Sequence, residues 1–374
     1  MKKIRVLNMV YWLGSGGIER FSVELYRYIN HNRIQMDFIT KCNIKEFYDE
    51  DVKELGAKKI TLSISNTTKG FFTKITMLRR AIKLFKRGYN VAYFNISSPA
   101  DALKYPLLSR CMGMKKTIVH AHSSSDSKSG IIHLIANILG RKYLNNEKII
   151  KFACSETAAK WMFGEKVCDS KKYYEIKNGI DISKFKFNET TRDNYRKKLN
   201  IPLDAIVVGQ VGRFVELKNH QFTISIAEEL VKSNQNIYFV FVGDGQLKSK
   251  CEERVKQSSL QNRVMFLGNR KDVGDILQTI DFFVMPSFYE GLPVSAIEAQ
   301  ASGCKCILSD SVTNETDVTG NCVFLPLDKN KWINEIESLA PVNRNQAFEK
   351  VVSAGYDINS TARKIEQILA DWCN

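Results

Sequence analysis

The chain has 374 residues, 44% of them hydrophobic, with a formal net charge of +15. This length exceeds one ordinary core, so we predict two domains of about 150 to 200 residues each. The nine cysteines are scattered and form no paired Cys-x2-Cys ligand sets, which favours a reduced, cytoplasmic setting over a disulfide or zinc framework.

The excess of positive over negative charge lies entirely in the first half of the chain. Residues 1–180 contain 32 Lys and Arg against 15 Asp and Glu, whereas residues 181–374 contain 23 against 25. No helix-turn-helix, zinc-ligand or RNP-type aromatic pattern accompanies this charge, so nucleic acid is a poor candidate partner. An anionic membrane surface fits better.

The N-terminal residues predict a first strand and not a signal peptide, because Arg5 and Asn8 interrupt the apolar run. The longest apolar helical segment, 130–139, is too short for the roughly 20 residues that cross a bilayer. We therefore expect a cytoplasmic protein, peripheral at the inner face of the membrane, that does not span it.

Short β-rich runs alternate with amphipathic helical patterns, which predicts parallel βαβ units and two Rossmann-like sheets. The predicted strands of the first half are 4–8, 35–40, 59–63, 91–95, 116–120, 151–154 and 173–176. Those of the second half are 205–211, 237–242, 264–267, 281–285, 305–309 and 322–326.

The first strand is followed by a glycine-rich connection to a helix that contains Gly14, Gly16 and Gly17. Paired glycines allow the backbone to approach a ligand closely and leave the helix-start N–H groups facing it. The spacing is not Gly-x-Gly-x-x-Gly and no suitably placed acidic residue follows, so an NAD fingerprint is not supported. A plain tight turn is the alternative.

Segment 69–87 is a basic amphipathic helix candidate. It fits either a helix that covers the sheet with a solvated basic face or a helix that docks on a membrane. Further along, His120 and His122 end another strand; alternation places both on one face, beyond the sheet edge. A buried core histidine and a His-x-His metal pair are the alternatives, and no third ligand is identifiable.

The Asn178-Gly179 turn and the polar stretch after it mark the predicted crossing between domains. The first domain comprises residues 1–177 and the second 178–356. A final helix at 358–372 lies outside the repeating pattern.

The second half places two cations after its first strand, at Arg213 and Lys218. Converging on a diphosphate, they would neutralise a leaving group as a metal ion does. A solvated surface lysine is the alternative for Lys218. Glycine loops that begin at Gly243 and Gly268 follow the next two strands, where surface turns are the alternative.

Two carboxylates eight residues apart, Glu290 and Glu298, span a predicted loop-to-helix junction. Pro293 suits the first turn of the helix, and Gly303 supplies the left-handed residue that ends it. N–H groups near Gly291 and in the first turn are available to a phosphate, and the carboxylates can accept hydrogen bonds from sugar hydroxyls. The spacing alone also arises by chance, so the surrounding strands carry the argument.

Together these segments resemble the retaining GT-B glycosyltransferases of family four, over essentially the whole chain. The resemblance implies an α/β fold with two Rossmann-like domains facing a central cleft and a C-terminal helix, 357–374, that crosses back to the first domain. The donor-side residues that it implies are Arg213 and Lys218 on the diphosphate, Glu298 on the ribose, Glu290 on the sugar, and Gly291, Leu292, Gly243, Gly268 and Arg270 around the nucleotide. The residues implied for the cleft on the acceptor side are Gly16, Gly17, His120 and His122, with His122 favoured as the catalytic one.

The same resemblance implies front-face transfer of a sugar from a nucleotide-diphosphate sugar, with UDP as the expected nucleotide. We expect a lipid-linked saccharide acceptor in surface polysaccharide assembly, and no metal or other cofactor. A nucleotide-sugar epimerase of the same fold and a basic nucleic-acid-binding protein are the alternative functions.

Overall fold

The computed structural model describes residues 3–123, 130–338 and 344–373. The chain forms two compact units: Met1–Gly179 with Ile358–Asn374, and Ile180–Asp357. The predicted crossing lies two residues before the observed one, and the last helix belongs to the first unit. Met1, Lys2 and Asn374, which the sequence assigns to the first domain, lie outside the described residues.

The strands of the first unit are β1 Ile4–Tyr11, β2 Ile34–Thr40, β3 Lys59–Thr61, β4 Val91–Ile96, β5 Lys116–Ala121, β6 Ile149–Ala153 and β7 Tyr173–Glu175. Those of the second unit are β8 Ile206–Val211, β9 Ile237–Val242, β10 Val264–Phe266, β11 Phe282–Met285, β12 Lys305–Ser309 and β13 Cys322–Leu325. Every predicted strand is present, with its ends displaced by at most three residues. The two predicted Rossmann-like sheets are therefore confirmed.

The α-helices are α1 Gly17–Tyr28, α2 Asp49–Glu54, α3 Phe71–Phe85, α4 Tyr105–Cys111, α5 Ile131–Leu144, α6 Glu156–Phe163, α7 Glu189–Lys198, α8 His220–Ser233, α9 Lys248–Gln257, α10 Val273–Thr279, α11 Val294–Ala301, α12 Lys329–Glu337, α13 Ala347–Ser353 and α14 Ile358–Cys373. None of these helices is both long and apolar enough to cross a membrane.

The sheet of the first unit is parallel throughout, with strand order β3-β2-β1-β4-β5-β6-β7. Helices α1 and α14 contribute to the core on one face, and α3 and α6 contribute to the core on the other. Ile358, Ala362, Ile365 and Leu369 form the buried stripe of α14 at helical spacing. Because both faces are covered, the strands are apolar on both sides.

The sheet of the second unit is also parallel, with order β10-β9-β8-β11-β12-β13. Residues of α10, α11 and α13 line the core on one face, and those of α8, α9 and α12 line it on the other. Strand order reverses between β1 and β4 in the first sheet and between β8 and β11 in the second. Open α/β sheets bind ligands beyond the carboxyl ends of strands at such reversal points.

Candidate active site

In the second unit, the loops after β8, β9 and β10 form one continuous wall. The Gly212 N–H donates to the Val242 carbonyl at 2.9 Å, and the Gly243 N–H donates to the Gly268 carbonyl at 2.8 Å. These bonds continue the sheet pairing past the strand ends. The predicted glycine loops therefore lie side by side at the carboxyl edge of the sheet.

The glycines of the β9 loop are required by how closely these loops pack. Gly243 has a φ of +138°, and a Cβ there would lie 2.1 Å from the Gly212 carbonyl oxygen. A Cβ on Gly245 would lie 2.6 Å from the Phe214 oxygen. Only glycine permits this contact, so the Gly-Asp-Gly sequence has a structural cause before any ligand is considered.

Lys218 and Glu290 form a direct ion pair between the loops that follow β8 and β11. Their side chains are only 19% and 13% exposed. The Phe288 N–H, which donates to the Leu217 carbonyl at 2.9 Å, joins the same two loops. Lys218 is thus not a solvated surface lysine, and the predicted phosphate cation and sugar carboxylate meet at the reversal point of the sheet.

The two arginines assigned to the donor side differ in how they are held. Arg213 is exposed, and no carboxylate of the described residues pairs with it. Arg270 forms two hydrogen bonds to Asp272, at 2.8 and 2.6 Å, and a third to the Tyr195 hydroxyl at 2.9 Å. The Arg270 guanidinium holds the pKa of Asp272 well below its usual range. Arg270 therefore braces its loop, whereas Arg213 can turn toward an anion.

Helix α11 begins one residue later than the sequence predicts. Pro293 is its N-cap, and the Pro293 carbonyl accepts from the Ala296 N–H at 3.1 Å. Gly303 has a φ of +72° just beyond the helix, which confirms it as the left-handed residue. The first N–H groups of a helix have no intrahelical partner, so this end suits a phosphate.

The two predicted glutamates differ in burial. Glu290 is half-buried and pairs with Val312 in an isolated parallel bridge, which ties its loop to the residues after β12. Glu298 lies on α11 and is 1% exposed. Leu292, between them, packs against the core of the unit, and Gly291 is partly exposed. Glu290 is accordingly the carboxylate that faces the loops, whereas Glu298 is buried in the middle of α11.

In the first unit, His120 belongs to β5 and is 0% exposed. The expectation that it lies beyond the sheet edge is wrong. Its ring packs edge-on against Phe21 and Phe152, and its Nδ1 lies 2.7 Å from the Tyr93 hydroxyl. The strand continues past His120 through its pairing with β4 and β6, and the surrounding aromatic rings shield the imidazole from solvent.

His122 follows the strand and is partly exposed. Its Nε2 lies 2.8 Å from Asn95 Oδ1, and the Asn95 amide nitrogen donates to Asn8 Oδ1 at 2.8 Å. This fixes Asn95 Oδ1 as an acceptor for an Nε2–H of His122. Burial lowers the pKa of His122 to about 4, so the ring is neutral at pH 7.

The other ring nitrogen, Nδ1, lies 3.0 Å from Asn178 Oδ1, which is also an acceptor. A neutral imidazole carries one N–H, so His122 donates to Asn95 or to Asn178 but not to both at once. Three asparagines that the sequence did not point to as site residues form this network: Asn95 and Asn178 contact His122, and Asn8 contacts Asn95. The sequence signal that could have indicated them is an asparagine within or after an apolar strand. Their network fixes the orientation of His122 at the carboxyl edge of the first sheet.

The glycine loop after β1 leads directly into α1. Gly16 is the N-cap of this helix, and a Cβ there would lie 2.2 Å from a carboxylate oxygen of Glu19. Around a Cβ on Gly17, no atom of the described residues lies within 4 Å. The Glu19 side chain is flexible and can move away, so packing requires a glycine at neither position.

The described residues include no group of three or more His, Cys, Asp or Glu placed to hold a metal ion.

Comparison with known proteins agrees with this geometry. The family model of group 1 glycosyl transferases matches residues 191–373. A putative glycosyltransferase of Bacillus subtilis, EpsF, is 31% identical over 94% of this chain and 93% of its own length.

Two further relatives also align over nearly their whole length. The capsular polysaccharide biosynthesis glycosyltransferase CapH of Staphylococcus aureus is 24% identical over 98% of both chains. An Escherichia coli UDP-Gal:alpha-D-GlcNAc-diphosphoundecaprenol alpha-1,3-galactosyltransferase is 23% identical over 99% of this chain and 97% of its own.

Among solved structures, Anabaena HepE in complex with UDP and glucose superposes with a TM-score of 0.76, at 16% identity, covering 98% of this chain and 99% of that one. This likeness shows the fold, and the relative at 31% identity shows the family. The chain belongs to the group 1 glycosyltransferases and has the GT-B fold.

Proposed function

We propose that this enzyme transfers a sugar from a UDP-sugar to a lipid-linked saccharide with retention of anomeric configuration. The second unit binds the donor and the first binds the acceptor. The observation that carries the donor assignment is the Lys218–Glu290 ion pair, which brings a cation and a carboxylate together at the reversal point of the second sheet.

Each donor-side group has a chemical task in this proposal. Arg213, exposed and without a carboxylate partner among the described residues, and Lys218 bind the diphosphate together with the start of α11. Glu290 accepts hydrogen bonds from the transferred sugar, and Glu298 accepts from the ribose. Arg270 keeps the loop after β10 in place through its bonds to Asp272.

In the reaction, the acceptor hydroxyl attacks the anomeric carbon from the face that the diphosphate leaves. The bond from the anomeric carbon to the diphosphate oxygen breaks, the bond to the acceptor oxygen forms, and the acceptor proton passes to the leaving phosphate. The products are the glycosylated acceptor and UDP. Arg213 and Lys218 stabilise the charge on the departing diphosphate, so we propose that no metal is needed.

On the acceptor side, His122 serves as a fixed, neutral hydrogen-bonding group. Its lowered pKa removes it as a proton donor at neutral pH, and its two asparagine contacts hold the ring in one orientation. Packing does not explain why residue 17 is a glycine. In this proposal Gly17 allows the backbone to approach the acceptor or donor closely.

The nature of the substrates is supported by the names of relatives. The E. coli relative uses UDP-galactose and a diphosphoundecaprenol acceptor, and HepE was solved with UDP. The charge of +17 on residues 1–180 supports an acceptor in an anionic membrane, and with it a cytoplasmic enzyme at the inner membrane face.

The test is a panel of nucleotide sugars offered with a diphosphate-linked polyprenyl saccharide. Thermal unfolding selects the donor, because a ligand at 100 times its Kd stabilises by about 2.7 kcal/mol. Product analysis by NMR then gives the anomeric configuration. An inverted linkage contradicts the retaining route, and stabilisation by a nucleotide other than UDP contradicts the donor assignment.

A further inference from the structure

Helix α5 presents its large apolar side chains to solvent. Six of them are more than half exposed: Ile131, Ile132, Leu134, Ile135, Ile138 and Leu139. At 100° per residue they cover one continuous face of the helix. Soluble monomers rarely expose an apolar patch of this extent without a binding role.

The opposite face of α5 packs on the protein, and apart from Leu144 at the last position its buried residues, Asn137 and Gly140, are polar or small. Asn137 Oδ1 accepts from the Ala100 N–H at 3.0 Å. A Cβ on Gly140 would lie 2.0 Å from the Pro99 carbonyl oxygen, so the helix backbone rests directly on segment Pro99–Leu103. A helix that covers a sheet normally turns its apolar side inward. In α5 the packing turns the apolar side outward, to solvent.

The apolar face of α5 continues onto α3. Leu103 and Lys104 line two neighbouring surface depressions, one shared with Ile131 and Ile132 of α5 and the other with Leu78 of α3. Two phenylalanines at the start of α3, Phe71 and Phe72, are 73% and 82% exposed. We call the surface formed by α3, Pro99–Leu103 and α5 the apolar shelf.

The shelf is bordered by cations. Segment 69–87, which contains α3, has seven Lys and Arg and no Asp or Glu. Helix α5 ends with Arg141 and Lys142 and contains no acidic residue. Asp101 on the intervening segment is neutralised by Lys104, 2.7 Å away.

We propose that the apolar shelf inserts into the interface of an anionic lipid bilayer, with the side chains of α5 among the acyl chains and the cations of α3 at the phosphate headgroups. Apolar insertion beside a cationic rim is the chemistry that recognises such a surface. A second copy of this chain is a less suitable partner for the shelf, because a two-fold contact would place the cations of one copy against the same cations of the other.

This inference rests on the proposed function and adds to it the element that inserts into the membrane. Segment Pro99–Leu103 follows β4, which holds Asn95, and α5 follows His122 along the chain. The shelf thus leads from the same sheet edge as the histidine network. A bilayer bound there delivers a lipid-linked acceptor to that edge without extraction from the membrane.

The experiment compares three full-length proteins on vesicles of phosphatidylglycerol and phosphatidylcholine in equal parts, by flotation. These are the wild type, the shelf variant Ile132→Gln/Ile135→Gln/Leu139→Gln, and the control Leu203→Gln/Val352→Gln, which replaces exposed apolar residues of the second unit. Glutamine suits helices and the sites are exposed, so folding should be kept, as circular dichroism will check.

We expect the shelf variant to lose at least about tenfold in vesicle partitioning, and the control to bind as the wild type does. In 1 M salt the Debye length falls to about 3 Å, so the attraction to the headgroups is largely screened. The wild type should then retain residual vesicle binding that the shelf variant lacks. Equal vesicle binding by the wild type and the shelf variant, or none by the wild type, overturns the proposal. So does a wild-type dimer that the shelf variant makes monomeric without any vesicle binding.

A water-soluble, short-chain acceptor distinguishes failure of the proposed function from failure of the membrane proposal. The shelf variant should glycosylate that acceptor at the wild-type rate and lose rate only on acceptor embedded in vesicles. If neither protein transfers sugar to either acceptor while vesicle binding still depends on the shelf, the substrate assignment is wrong and the membrane surface stands.

Discussion

The Lys218–Glu290 pair makes the sharpest test of the donor site through Glu290→Gln. In the unliganded protein this substitution leaves the Lys218 ammonium without its carboxylate. The two side chains are 19% and 13% exposed, so the burial of this ion pair is intermediate. A surface ion pair contributes about 0–1 kcal/mol to stability, whereas disrupting a buried ion pair costs about 3–5 kcal/mol. We therefore expect a stability loss of about 1–2 kcal/mol.

Binding and turnover should respond differently. The diphosphate of UDP has to compete with Glu290 for Lys218, so Glu290→Gln should bind UDP at least as tightly as the wild type. If the Glu290 contact to the sugar strengthens during transfer, turnover should fall by about 10²-fold, equivalent to about 2.7 kcal/mol of transition-state stabilisation. Calorimetry with UDP and steady-state transfer kinetics measure the two effects separately.

The matched control is Glu335→Gln. Lys305 and Glu335 form a pair of similar exposure, 14% and 24%, at 2.5 Å, but Lys305 starts β12 and so lies at the opposite edge of the second sheet. Its loss should cost similar stability and leave turnover unchanged. Near wild-type transfer by a folded Glu290→Gln, or an equal loss in Glu335→Gln, would refute the assignment of Glu290.

Three further outcomes are expected. Glu298→Gln should weaken the binding of UDP and of the donor by about 1–3 kcal/mol with little change in kcat, because a ribose contact is present both before and during transfer. Calorimetry and kinetics measure the two effects, and a loss confined to kcat would contradict the ribose role. Transfer should survive EDTA, and abolition by chelation with rescue by Mg²⁺ or Mn²⁺ would show that Arg213 and Lys218 do not suffice. Burial, and then the nearby Lys218, lower the pKa of His220 to about 3, against about 6.5 unfolded. Since the unfolded chain binds the extra proton, stability should fall as pH drops below 6.5, by about 2 kcal/mol at pH 5. His220→Leu should flatten that dependence in urea unfolding at pH 7 and 5, and parallel curves for the two proteins would exclude His220 as its source.

Sequence alone determined much of the fold. Alternating apolar runs and helical patterns gave thirteen strands in their correct places, because strands buried on both faces must be continuously apolar. The turn at Asn178-Gly179 marked the chain crossing to within two residues, since local turn chemistry is encoded in adjacent residues. The position of Gly303 was predictable for the same reason.

The tertiary structure decided what depends on contacts between residues distant in the chain. Lys218 and Glu290 are 72 residues apart, and only the strand order places their loops together. The sequence places both His120 and His122 beyond the sheet edge, yet an aromatic cage encloses the first and three asparagines support the orientation of the second.

Helix α5 reads as an ordinary apolar helix in the sequence. Its outward direction is set by the contacts of Asn137 and Gly140 with Pro99–Leu103. A periodicity shows that a helix has an apolar side, but only packing determines whether that side faces the core or the solvent.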